Sequence, residues 1–106
     1  MLYEYRIYEC RPGKRAEWVD YMESVIIPFQ VSKGMVIAGS FVDEQDEDRY
    51  VWMRRFADEA EREALYGAVY ESSEWLDRIA PRIPELINRE TIKVMRLVPT
   101  AKSVMQ

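Results

Sequence analysis

The chain has 106 residues, 48% of them hydrophobic and 32% charged, which suits one domain with its own core and is too short for two. Its net charge of −4 with no basic face excludes nonspecific nucleic-acid binding, and no apolar run approaches the ~18 residues of a membrane span. The absence of histidine excludes Ser-His-Asp and Cys-His machinery and His-ligated metals or haem, and a lone cysteine excludes an internal disulfide or a thiolate metal site.

The first predicted strand covers Leu2–Cys10, with Tyr3, Tyr5 and Ile7 on one side and Leu2, Glu4, Arg6 and Tyr8 on the other. Cys10 closes it as a small semi-buried hydrophobe, and Pro12-Gly13 breaks the strand. Trp18, Met22, Val25 and Phe29 recur at helical spacing, widened by Val19 and Ile26, which predicts a helix from Lys14 to Phe29 whose regular end is limited by Pro28. Gly34 supplies the stop. A second strand follows at Met35–Val42, then the acidic connection Asp43–Asp48, then a third strand at Arg49–Phe56 that forms an antiparallel hairpin with the second.

Asp58 is the N-cap of the next helix, with Glu61 completing a box-like start. Ala60, Ala64, Leu65, Ala68 and Val69 form the stripe expected against the sheet. Ser72 or Ser73 caps a further helical piece carrying Trp75, Leu76 and Ile79. The last strand is expected at about Glu90–Pro99, and Thr100–Gln106 as a frayed tail.

This order is an α+β, ferredoxin-like βαββαβ with an extra helical segment before the last strand and a four-stranded antiparallel sheet. Residues 1–99 form the single domain and 100–106 the tail. Val36–Val42 has almost no polar face and Tyr50–Met53 alternates only aromatic with aliphatic, so these strands need cover on both sides. Four strands present roughly 400 Å² per face, and the helices cover one. A homodimer joined through the other face is therefore expected. Tyr3, Tyr5, Ile7, Val51 and Met53 are assigned to the helices. Arg6, Tyr8, Tyr50 and Trp52 are assigned to the dimer interface, beside Leu2 and Phe56.

Local segments resemble one family. Tyr3-Glu4-Tyr5-Arg6-Ile7-Tyr8 with Pro12-Gly13-Lys14 is similar to the opening strand and turn of NIPSNAP-domain proteins, and Ile37–Phe41 to their second strand. Trp52–Phe56 with Glu61-Arg62-Glu63, then Ser73-Glu74-Trp75, then Arg96–Thr100 follow in the family's order, although the family often has Asp-Pro before the acid at 74. The resemblance implies a dimeric α/β barrel, a fold shared with cofactor-independent monooxygenases and small-molecule-degrading enzymes. It implies no settled activity.

Arg6 and Arg54, with Glu4, Tyr8 and Trp52, have two readings: a clamp for an anionic aromatic or carboxylate ligand, or an ion-pair network fixing dimer register. Tyr3, Tyr5, Met53 and Trp75 line either ordinary core or an apolar cavity. Arg62 binds an anion or pairs with Asp58 or Glu59, and Asp43–Asp48 reads as a solvated hairpin tip rather than a calcium loop. The expected ligand site is Tyr5, Trp52, Arg54 and Trp75, with no catalytic residue assigned, no metal and no cofactor. The function expected is a small cytosolic homodimer that binds or transforms a small apolar or aromatic molecule; an enzyme here would be of the cofactor-independent oxygenase or degrading kind. A noncatalytic dimeric interaction module is the alternative. The N-terminal stretch Met1–Arg6 lacks a signal-peptide core, which places the expected site of action in the cytoplasm.

Overall fold

A computed structural model describes residues 1–106. β1 (Leu2–Glu9), β2 (Val36–Val42), β3 (Arg49–Phe56) and β4 (Lys93–Leu97) form one antiparallel sheet in the order β2-β3-β1-β4. The β2–β3 hairpin and the crossed placement of β1 between β3 and β4 are those of the βαββαβ arrangement. The last strand is shorter than the sequence suggests, because Arg89–Thr91 is a 3₁₀ turn capped by Asn88.

The first helix runs on past Pro28. α1 (Arg15–Tyr21) widens into a π-helical stretch (Met22–Ile26) and continues as α2 (Ile27–Ser32). The helix therefore passes the expected end at Phe29 and runs to Ser32. A proline ring clashes with the carbonyl four residues back, and the wide turn carries that carbonyl away while the Ile27 N–H bonds Met22 five residues back. The same device recurs before Pro81, where Glu74–Ile79 is π-helical and the Ala80 N–H bonds Trp75. A 3₁₀ turn (Ala80–Arg82) and α4 (Ile83–Leu86) then return the chain to the sheet, where Cys10 bridges to Ile87.

α3 (Glu59–Tyr70) starts at the expected cap: Asp58 Oδ1 accepts from Glu61 N at 2.8 Å, and Glu61 Oε1 accepts from Ala57 N. Its alanine stripe, however, faces out. Ala60, Ala64 and Ala68 are exposed, and the turn toward the sheet is made by Arg62, Tyr66, Val69 and Tyr70.

The two sheet faces are the reverse of the sequence assignment. Cross-strand register places Glu4 opposite Arg54, Arg6 opposite Trp52 and Tyr8 opposite Tyr50. That whole set lies beneath the helices, with Tyr8, Tyr50, Trp52 and Phe56 in the main core. Arg6, Tyr8, Tyr50 and Trp52 are therefore covered by their own chain and do not form the open face. The charges are tolerated inside because they pair with one another, which is also why polarity alone misassigned the pleat.

The open face carries Tyr5, Ile7, Val51 and Met53, flanked by Phe41 and Met95, which are 55% and 47% exposed. Phe41 lays its ring over Gly39, two positions back on the same face, where a Cβ would come within 2.4 Å of it. The C-terminal segment is not frayed. It folds back so that the Gln106 main-chain oxygen accepts from Tyr3 OH (3.0 Å) and Arg55 Nε (2.8 Å), which buries Tyr3.

At the β2–β3 tip, Asp43 Oδ1 accepts from the Gln45 and Asp46 amides, and Arg15 and Arg49 brace the turn. The acidic tip is thus engaged with its own backbone and arginines.

Candidate functional site: a cavity between sheet and helices

A cavity of about 360 Å³ lies between the covered sheet face and the helices. Its floor is Arg6, Tyr8 and Trp52 from the two central strands. Most helical segments contribute to its walls: Trp18 from α1, Met22 and Ile26 from the first π stretch, Gln30 from α2, and Tyr66 and Tyr70 from α3. Trp75 of the second π stretch, Ile83 of α4 and the exposed Arg89 complete it. Both π-helical stretches thus deliver side chains to this space. Such widenings re-aim residues by the extra one they insert, and they recur at functional sites.

The walls mix aliphatic side chains, Ile87 and Ile92 among them, with six aromatics in edge or tilted contacts: Tyr8 on Trp52 (6.1 Å), Tyr70 on Trp75 (4.8 Å) and Tyr66 on Tyr70 (5.0 Å). Two polar atoms in this lining are left over. The indole N–H groups of Trp18 and Trp52 are buried and have no acceptor in hydrogen-bond geometry. The Trp52 N–H lies toward the Tyr8 hydroxyl and helps restrain that phenol's pKa, without reaching bonding geometry.

Behind the floor sits a buried ionic cluster. Glu4 and Arg54 are both fully buried. Arg54 donates from Nε (3.1 Å) and Nη2 (2.7 Å) to Glu4 Oε1. Its other donors reach Gln30 Oε1 (3.0 Å), Tyr70 OH (2.6 Å) and Tyr66 OH (2.8 Å), so all five N–H groups are used. Glu4 Oε2 accepts from Arg62 Nε (2.7 Å) and Tyr66 OH (2.5 Å). Arg62 also pairs with Glu59, as its (i, i+3) spacing suggests. The Arg54 guanidinium stacks at 4.8 Å from the Trp52 ring centroid.

These contacts set the protonation states. Burial alone would push the Glu4 pKa up; the Arg54 charge and the bonds from Tyr66, Arg62 and Arg54 outweigh it and hold the carboxyl below its ordinary value. Burial pushes Tyr66 to about 12 against the pull of Arg54, and raises Tyr8 against Arg6. Arg6 itself is held charged, desolvation being outweighed by Tyr8. The cavity is therefore bounded by neutral phenols and a permanent guanidinium.

The NIPSNAP family model matches residues 3–102 of this sequence. The chain belongs to the NIPSNAP family. A NIPSNAP family protein of Agrobacterium tumefaciens is 27% identical, with a TM-score of 0.86, covering 99% of this chain and 98% of its own. A second protein of the same organism, a NIPSNAP family protein with unknown function, superposes at TM-score 0.89 with 22% identity, covering 100% of this chain and 94% of its own. An uncharacterized NIPSNAP domain protein from Burkholderia xenovorans gives 0.85 at 21% identity, covering 97% and 98%. No curated protein matches the chain. These likenesses carry the fold, which is of the dimeric α/β barrel class.

In this NIPSNAP domain, Trp52 and Trp75 line one cavity. Arg54 lies behind its floor with every donor occupied, and Tyr5 is on the opposite sheet face. The Glu4–Arg54 network is buried inside this one chain. Sequence reasoning missed Trp18, Tyr66 and Tyr70 in the lining, and Arg6, read there as one of two candidate clamps, lies in the cavity floor. The signal for the two tyrosines was the spacing of Arg62, Tyr66 and Tyr70 on one helix face, opposite a strand that carries Glu4.

Proposed function

We propose that this NIPSNAP protein is a homodimer that binds a small apolar or aromatic molecule in the cavity between its sheet and helices. The observation that carries this reading is the pair of buried indole donors, Trp18 and Trp52, left without acceptors in an aromatic-walled space of about 360 Å³. An unsatisfied buried donor costs about 1–3 kcal/mol, and a cavity of this size falls within the ordinary range for small-molecule sites. A ligand oxygen meets those donors while its body fills the aromatic walls. The phenols Tyr8 and Tyr66 stay protonated and are poor bases, so the site favours holding a ligand, or a reaction driven by the ligand's own acidity, over general base catalysis by the protein.

The dimer reading rests on the open face. Tyr5, Ile7, Met53, Phe41 and Met95 make an apolar surface that a second sheet face would cover, as in the barrel class to which the fold belongs. Native mass spectrometry of the purified protein tests both parts. The expected spectrum is a dimer carrying a small mass that collisional activation releases. A monomer at micromolar concentration refutes the assembly. A dimer that never carries or accepts an aromatic ligand supports a noncatalytic interaction module instead.

A further inference from the structure

Arg54, the arginine expected to clamp an anion, has nothing left to give, because its five donors are taken by Glu4, Gln30, Tyr66 and Tyr70. Arg6 differs. Its Nε donates to Tyr8 OH at 2.9 Å and its Nη1 reaches Tyr66 OH at 3.5 Å, while Nη2 has no protein acceptor. The side chain is 17% exposed and lines the cavity. Glu4 is the nearest carboxylate, at 3.9 Å from Nη1, and both its oxygens are engaged by Arg54, Arg62 and Tyr66. No acidic side chain lines the cavity, and Arg89 adds a second cation to its wall. Behind the floor, three guanidiniums surround one carboxylate, with Arg62 shared by Glu59. The net-acidic chain therefore holds a locally positive, apolar-walled cavity.

We propose that the ligand of this cavity is a planar aromatic monocarboxylate, its carboxylate held by Arg6 Nη2 and its ring seated among Trp18, Trp52 and Trp75. This assignment rests on the cavity being the ligand site. Nη2 carries two unspent N–H groups, either of which can donate to a carboxylate oxygen in a charge-assisted hydrogen bond. A cation would meet the Arg6 charge without a partner, and a second carboxylate would find only the solvent-exposed Arg89. At the ~30 Å³ that a water occupies in the liquid, the cavity has room for roughly a dozen non-hydrogen atoms, the size of cinnamate or naphthoate.

All three tryptophans of the chain line the cavity, so intrinsic fluorescence reports occupancy directly. Benzoate, cinnamate and 2-naphthoate are titrated beside their primary amides, which share shape but not charge, with calorimetry as the second readout. The acids should bind the unchanged protein about tenfold to a hundredfold tighter than the amides, the strength of one charge-assisted hydrogen-bonded pair. Arg6→Gln should bring acids and amides to equal affinity, and Arg6→Lys should keep part of the preference. Equal affinity of acids and amides for the unchanged protein overturns the carboxylate assignment and leaves the aromatic cavity standing, a result that needs no folded variant. A preference that survives Arg6→Gln, or that disappears only in Arg89→Gln, overturns the role of Arg6. Absence of any binding or quenching by acids and amides alike at millimolar concentration overturns both this assignment and the cavity reading.

Discussion

Removing the charge of Glu4 tests the cluster at its centre. Glu4→Gln keeps shape and one carbonyl acceptor but replaces the other oxygen with an amide donor. Whichever way the amide turns, it faces either the two Arg54 donors on Oε1 or the Arg62 and Tyr66 donors on Oε2, so two of four hydrogen bonds become donor against donor. Arg54, fully buried, is left with no counter-charge of its own. Breaking a buried pair by deleting one partner costs about 3–5 kcal/mol, roughly a fifth or more of the ~5–15 kcal/mol that stabilises an ordinary domain. With a urea m-value near 2 kcal/mol/M, the midpoint should fall by roughly 2 M. Urea unfolding at one fixed protein concentration measures it, since assembly makes the midpoint concentration-dependent. Adding Arg54→Met to Glu4→Gln should recover about 1–3 kcal/mol relative to the sum of the single changes, because the second change removes the orphaned guanidinium. A Glu4→Gln unfolding free energy within about 1 kcal/mol of the parent's, or strict additivity of the pair, refutes the account.

The pH dependence follows from the same contacts. Because the folded Glu4 pKa lies below its ordinary value, its stabilisation is present above the ordinary carboxylate pKa and is lost as pH falls through the folded value; the gap between parent and Glu4→Gln urea midpoints should close on acidification. Tyr50 and Tyr66 are both raised from 10.0 to about 12, so their contribution is intact below pH 10 and is lost as pH climbs through 12, with a late tyrosinate absorbance step that coincides with unfolding. An early step, complete near pH 10, contradicts their burial. Cys10, buried with its thiol pushed up to about 11, should be alkylated at pH 8 roughly a hundredfold more slowly in native protein than in urea. Met53→Asp, on the open sheet face, should convert dimer to monomer in light scattering, and an unchanged dimer mass places the contact elsewhere.

The strands, the Asp58 cap and the topology were legible because each leaves a local mark: apolar runs bounded by Pro, Gly or acidic residues, and an acid three residues after a capping side chain. The pleat was not. β1 reads Tyr-Glu-Tyr-Arg-Ile-Tyr, with aromatics on both sides, so only Glu4 and Arg6 separate the faces, and the rule that charges face water puts them outside. What overrides it is the register, which sets Glu4 directly across from Arg54. That pairing was available once the hairpin strand was placed, because opposite charges at facing positions satisfy each other inside. The alanine stripe of α3 failed for a related reason: Ala60, Ala64 and Ala68 and the stripe of Arg62, Tyr66 and Tyr70 both have helical spacing, and the polar-aromatic stripe goes inward because it completes the bonds of Glu4 and Arg54. The π-helical widenings leave only Pro28 and Pro81 as their trace, and a proline reads equally well as an end.

A buried ion pair is weak evidence for stability, since well-packed apolar residues of similar volume often serve as well or better. Its effect in this domain is geometric. Tyr66 donates to Glu4 and accepts from Arg54, which fixes the hydroxyl in space, and that same hydroxyl receives Arg6 Nη1. Tyr8 receives Arg6 Nε. The bonded Tyr66 hydroxyl and the Tyr8 phenol, held by its ring packing on Trp18 and Trp52, thus define the plane of the Arg6 guanidinium before any ligand arrives, and the ordering is accomplished on folding rather than on binding. A lysine at position 6 preserves the charge but has no plane to fix and no second donor edge. The fraction of acid-over-amide preference that Arg6→Lys retains therefore measures the charge, and the fraction it loses measures the geometry that Glu4, Arg54 and Tyr66 impose from behind.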